Sequence, residues 1–202
     1  MTRVSGFAAV LVLASVALAQ TEFSADVVDT QKSGTPTLAK IYFAKDRMRI
    51  EWEDRSGKSG GAFIENFAAQ TVTVLMPQRQ MYTEVPAQAQ NQRMYGFFAA
   101  GDAENACGDW QKMMQNQGRS CHRVGSDTVN GRRTIKYEGT STDGDTSTFW
   151  LDPKLRFPVK WEGKNGGELR NIQEGAQPAN LFEVPAGYTR FDMGAMMKQH
   201  QQ

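Results

Sequence analysis

The stretch from Ser120 to Glu174 constrains the fold more than any other part of the chain. Short alternating segments there are separated by Asn130-Gly131, Asp143-Gly144, Asp152-Pro153 and Asn165-Gly166. Asn-Gly and Asp-Gly supply the two positive-φ residues of a tight type I′ hairpin, whose twist matches that of paired strands. Four such signals, spaced about ten to thirteen residues apart, predict a five-strand antiparallel meander. Pro158 interrupts one of these strands and places it at an edge or a bulge. The segments upstream follow the same logic. Glu22 to Gln31 alternates weakly and reads as a first strand. From Leu38 to Asp54, Ile41 and Phe43 face one way and Lys45-Asp46 turns the chain. Met48, Ile50 and Trp52 then alternate with Arg47, Arg49 and Glu51, giving one dry face and one charged face. Ala62 to Pro86 reads as three more strands, with turns at Ala68-Ala69-Gln70 and Pro77-Gln78-Arg79. The expectation is a mainly β protein built on one curved antiparallel sheet with an apolar concave face.

Ala87 to Gly118 breaks the pattern. Ala103, Ala106, Cys107, Trp110, Met113 and Met114 recur at helical spacing and form one apolar stripe. Asp102 is placed to cap that helix and Gly118 to end it. Upstream, Met94, Tyr95, Phe97 and Phe98 cluster around Gly96. Leu181 to Tyr188 is a short final segment.

The N-terminus reads as an export leader. Arg3 precedes an uncharged apolar run from Val4 to Ala19, and Ala17-Leu18-Ala19 fits the small-x-small cleavage rule. The run is shorter than the ~20 residues a bilayer-spanning helix needs; an uncleaved anchor is the alternative. No Cys follows the cleavage position, which disfavours lipid attachment there. The expected organisation is a leader over 1–19, one domain over 20–191 and a short helical or disordered tail over 192–202. Without Arg3, 22 Lys and Arg face 22 Asp and Glu. A formal charge of zero with no block of like charge disfavours an electrostatic grip on nucleic acid or anionic membrane. Cys107 and Cys121 are the two cysteines. In an exported chain an even count reads as a disulfide, with two buried thiols as the alternative. Zinc is disfavoured, because two further ligands are missing.

Catalytic motifs are scarce. Gly57-Lys58-Ser59-Gly60-Gly61 matches Gly-x-Ser-x-Gly, but that motif works on a strand-to-helix elbow, and Ala62 to Asn66 reads as a strand. The two histidines are His122, beside Cys121, and His200, in the tail. Glu51/Glu53 and Asp143/Asp145 read as surface charge and not as a glycosidase pair. Met193, Met196, Met197 and His200 would share one side of a helix. Such thioether and imidazole donors suit Cu(I); the alternative is an amphipathic terminal helix or a frayed tail.

Four segments occur in order: Lys45-Asp46-Arg47-Met48-Arg49; Val129-Asn130-Gly131-Arg132 leading to Tyr137; Phe149-Trp150-Leu151-Asp152-Pro153 leading to Pro158-Val159-Lys160; and Phe182-Glu183-Val184-Pro185-Ala186-Gly187-Tyr188. Together they resemble the exported bacterial proteins of domain-of-unknown-function family 4412, a group similar to the periplasmic lipoprotein-carrier (LolA/LolB-type) superfamily. The resemblance spans nearly the whole chain after the leader. It implies an unclosed β-barrel of about nine to eleven strands with one or two helices over the concave side, where carriers of this type hold acyl chains.

The functional expectation is an exported, non-enzymatic protein without a cofactor that binds an apolar ligand. The ligand would be a hydrophobic small molecule, a lipid or a lipoprotein acyl chain. The candidate lining is Ile50, Trp52, Val72, Val74, Tyr137, Trp150 and Trp161, with Met94, Phe97, Phe98, Trp110 and Met113 from the covering segment. Which face of each strand is concave stays open, because a slip of one residue inverts the set. The rival is an envelope interaction or sensor module with a filled core and a protein partner; copper handling by the tail is a third reading.

Overall fold

The structure, a computed structural model, describes residues 21–32, 37–54, 57, 59–87, 102–108, 120–140 and 144–191. The strands are β1 (Phe23–Asp29), β2 (Thr37–Ala44), β3 (Arg47–Glu53), β4 (Ser59–Asn66), β5 (Thr71–Met76), β6 (Met81–Pro86), β7 (Ser120–Val129), β8 (Arg132–Thr140), β9 (Thr146–Asp152), β10 (Phe157–Glu162), β11 (Gly167–Glu174) and β12 (Thr189–Arg190). All twelve join one unclosed sheet in the order β12-β6-β5-β4-β3-β2-β1-β11-β10-β9-β8-β7. Two antiparallel meanders, β2 to β6 and β7 to β11, are therefore fused through β1. β12 pairs in parallel with the outer edge of β6.

Local chemistry accounts for the meander. Asn130 and Gly131 sit at φ 49° and 77°, the left-handed pair that the β7–β8 hairpin needs. Pro158 cannot donate to the ladder, and the β9–β10 register slips between Pro158 and Lys160. Asp152 ends β9 by accepting the backbone N–H groups of Lys154 and Leu155, which fixes the turn into β10.

The sheet is strongly bent. β1 and β11 lie between β2 and β10, so a flat sheet would hold those two strands about 14 Å apart at the usual spacing between neighbours. Yet the rings of Phe43 on β2 and Phe157 on β10 have centroids 5.6 Å apart, and Phe23 stacks on Phe43 and meets Phe157 edge-on. The side bearing Phe23 and Phe43 is therefore concave. The main buried cluster includes these rings with Ala25, Ile41, Met48 and Leu169.

The convex side of β3 to β6 is covered by the chain's own end. A 3-10 turn, Ala179–Phe182, drops Phe182 onto Ala62, Ile64 and Leu75, and Arg49 Nη1 donates to the Leu181 carbonyl at 2.9 Å. This explains why Ala62 and Ile64, on the convex face of β4, are buried.

A third cluster lies under the segment 102–108. Asp102 caps its first turn by accepting the Glu104 N–H at 2.9 Å, as its position implies. Ala103 and Ala106 pack on Ile135, Tyr137 and Leu151. Cys107 and Cys121 form a disulfide with a Cα–Cα distance of 5.5 Å, tying this segment to β7. The rest of the expected helix, including Trp110, Met113 and Met114, lies outside the described residues, as do the expected leader and the terminal tail.

Candidate functional site

Pairing register fixes which side chains share the concave wall, since residues opposite each other across strands project the same way. One row runs Ile41, Ile50, Phe63, Val74 and Thr83, and the next runs Phe43, Met48, Glu65, Val72 and Val85. Trp52 stands opposite Gly61 on the same side. A side chain at Gly61 would put its Cβ 2.5 Å from Trp52 Cζ2, so the indole lies directly on the glycine backbone. Trp52 then packs against Phe63 at 4.8 Å between centroids.

The expected residues Ile50, Trp52, Val72 and Val74 are therefore together, and each is partly exposed. Phe63 completes the patch and is 43% exposed. Sequence reasoning passed over Phe63, although it stands two residues from Glu65 and shares its parity. At the ends of β2 and β3 a hollow of about 660 Å³ is lined by Asp26, Leu38, Lys40, Glu51, Trp52 and Asp54 among others; Asp26, Lys40 and Glu51 pair on the face opposite Ile41 and Ile50, so the hollow is not part of the concave wall.

The remaining expected residues are placed elsewhere. Tyr137, Phe149, Trp161 and Gly167 pair in one row across β8 to β11; Trp161 packs against the main cluster, whereas Tyr137 and Phe149 belong to the separate cluster under the segment 102–108. Trp161 lies over Gly167 much as Trp52 lies over Gly61. Tyr137 is 1% exposed, stacks on Phe149 at 5.2 Å and donates its hydroxyl to the Ala103 carbonyl at 2.8 Å. Burial pushes its phenol up. It is thus sealed under the capped segment.

Trp150 is on the opposite side of β9 from that row, between Lys136 and Lys160 on the flanking strands. The two ammonium groups lie 5.0 and 4.4 Å from its ring, and its indole N–H donates to Asp127 Oδ2 at 2.8 Å. That bond holds the Asp127 carboxyl below its usual range. Register separates Trp150 from Tyr137 and Phe149, but Trp150 is buried in the main cluster with Phe43 and Phe157, against which Ile50 and Trp161 also pack. Phe97, Phe98 and Trp110, with Met94 and Met113, lie outside the described residues, as do Met193, Met196, Met197 and His200.

Glu65 is the other residue that the sequence reading passed over. It is 4% exposed on the concave side, and its Oε2 has no hydrogen-bond partner among the described residues. Desolvation pushes its carboxyl up to about 7. The other buried carboxylates are satisfied: Asp152 by Arg132 and two backbone N–H groups, Glu168 by Arg170. Glu51 is equally engaged, accepting from the Tyr42 hydroxyl at 2.9 Å and from Arg49 Nε at 3.0 Å. Ser59 of the Gly-x-Ser-x-Gly stretch opens β4, and a strand, not a helix, follows it.

No protein-family model matches the chain, and no curated protein matches it in sequence. Solved structures do. An uncharacterized conserved protein from Thermus thermophilus superposes with a TM-score of 0.55 at 11% identity, covering 86% of this chain and 91% of that one. The LolA superfamily protein NE2245 from Nitrosomonas europaea follows at TM-score 0.31 and 9% identity, covering 82% and 90%. The Pseudomonas aeruginosa MucA/MucB complex gives 0.39 and 14%; there the chain aligns over 84% of its own length but spans 57% of the matched chain. Of these three only the Thermus protein scores above one half, and the likeness to it is one of fold. Such identities speak to fold and not to activity.

Proposed function

We propose that this protein is an exported, non-enzymatic binding protein for an apolar ligand, a lipid or an acylated group, held against the concave wall. The observation that carries the reading is Phe63, a large aromatic 43% exposed on the inner side of a bent sheet, beside the partly exposed Trp52, Ile50, Val72 and Val74. An inner wall that its own side chains leave partly wet gains free energy when an apolar molecule covers it. Each buried CH₂ contributes about 0.8 kcal/mol, so a fourteen-carbon chain gains ~11 kcal/mol gross. No strong charge is needed for that, in keeping with a nearly neutral chain. The Cys107–Cys121 disulfide and the leader-like N-terminus support an oxidising, extracytoplasmic setting.

The test is native mass spectrometry of protein taken from its own envelope, with displacement of an environment-sensitive dye by long-chain alcohols and phospholipids. Co-purified lipid and displacement that Trp52→Ala or Phe63→Ala weakens support the reading; neither in the intact protein overturns it.

A second reading, a protein-interaction module, has its own observation. β7 is a ten-residue edge strand with Val124 half exposed, and an open edge offers backbone groups to an added strand. A partner would pair there and leave the concave wall free; protection of β7 amides on adding envelope extract would reveal it.

A further inference from the structure

Among the described residues, Glu65 is the one buried carboxyl with an oxygen, Oε2, that lacks a hydrogen-bond partner, and it stands on the wall just assigned to the ligand. Glu65 is directly opposite Met48 on β3 and Val72 on β5, with Phe63 two residues away on its own strand. None of these neighbours brings a charge or a side-chain donor. Along that face the row is otherwise apolar from Phe43 to Val85. A buried carboxyl oxygen held there without a partner is expensive, and alternation does not demand it, since an apolar residue at 65 would complete the wall.

We propose that Glu65 reads the ligand: its carboxyl takes an ammonium, or failing that a hydroxyl, carried on an otherwise apolar molecule. This rests on the apolar-ligand reading above and names the polar feature of that ligand. The physical case follows from what each head group does to the carboxyl. An ammonium restores the ionised form that burial has disfavoured and supplies a donor to the unpartnered Oε2. A hydroxyl supplies one donor without charge. A fatty-acid carboxylate would set like charge against like and must leave its head in water. The expected order for one chain length is amine, then alcohol, then acid.

The experiment measures dye displacement by the fourteen-carbon amine, alcohol and acid, below their aggregation thresholds at pH 8, on the intact protein and on Glu65→Gln. The substitution keeps shape and removes the charge, and circular dichroism checks that the variant is folded. The expected result is amine binding at least about tenfold tighter than acid, with that gap closing in Glu65→Gln while alcohol binding stays within about twofold. A purely structural Glu65 would leave the head-group order untouched. Equal binding of all three, or an order unchanged in Glu65→Gln, overturns the assignment and leaves the apolar-ligand reading standing. Failure of all three to bind the intact protein removes both.

Discussion

Trp52 lies on Gly61, with the position of a Cβ at that glycine 2.5 Å from the indole and 3.1 Å from the Leu75 carbonyl. The glycine is the floor on which the aromatic part of the concave wall rests. Gly61→Ala is therefore expected to push the indole off the sheet and to cost about 1–3 kcal/mol by overpacking. Urea unfolding measures the loss, and a red shift in tryptophan emission reports the displaced ring.

Glu65 has a pH signature that needs no ligand. Its carboxyl is raised to about 7 from an ordinary 4.5. Between those values the folded state holds a proton that the unfolded state has released, so the contribution of Glu65 to stability falls as pH rises through the window. Glu65→Gln is expected to flatten that part of the pH–stability curve and to gain about 3 kcal/mol above pH 7. Denaturation midpoints at pH 5 and pH 8 check it; parallel curves for both proteins refute it.

Arg132 ties three elements. It pairs with Asp152 at the end of β9, and its Nη2 lies 2.7 Å from Glu174 Oε1 on β11, which also pairs with Lys154. The bonds from Lys154 and Arg132 hold the Glu174 carboxyl below its usual range. A depressed carboxylate stabilises above its unfolded pKa and loses that contribution as pH falls through its folded value. Arg132→Ala strands Asp152, which is 3% exposed, and is expected to cost roughly 3–5 kcal/mol. The variant's stability should also vary less with pH below about 4.5.

Cys107→Ser with Cys121→Ser removes a cross-link between residues 14 apart in sequence. About 3 kcal/mol is the expected loss in the chain-entropy model. Because the disulfide anchors the segment over Tyr137, hydrogen exchange at Ala103 and Ala106 should accelerate more than in β2 or β3.

Turn chemistry and period-two alternation are local signals, which is why the meander from Ser120 to Glu174, the turn at Lys45-Asp46 and the bulge at Pro158 were legible in the chain itself. Face assignment was not. Phe149 and Trp150 are neighbours, so only one can face Tyr137; the pairing of Phe149 with Tyr137 shows that Trp150 turns into the main cluster with Phe43 and Phe157, while Tyr137 lies in the separate cluster under the segment 102–108. Glu65 was missed for a related reason. In Ala62-Phe63-Ile64-Glu65-Asn66 an acid reads as the wet face of a half-buried strand, but Glu65 is itself buried, and Phe182, more than a hundred residues later, covers Ala62 and Ile64 on the other face. β12 spans two residues, too few to show any period.

The seam between β1 and β11 sets the order in which the molecule can be completed. Asn171 Nδ2 reaches Asp26 Oδ2 at 2.7 Å across 145 positions of sequence, while every other neighbouring pair in the two meanders is joined by a local connection. A chain synthesised from its N-terminus can form β2 to β6 early, but β1 keeps one flank unsatisfied until β11, some 145 positions later, has been made. High contact order of this kind slows folding, and the exposed flank of β1 is meanwhile a template for any strand that arrives first. A chaperone that shields Phe23 to Asp29 would thus protect the nascent chain at its weakest point.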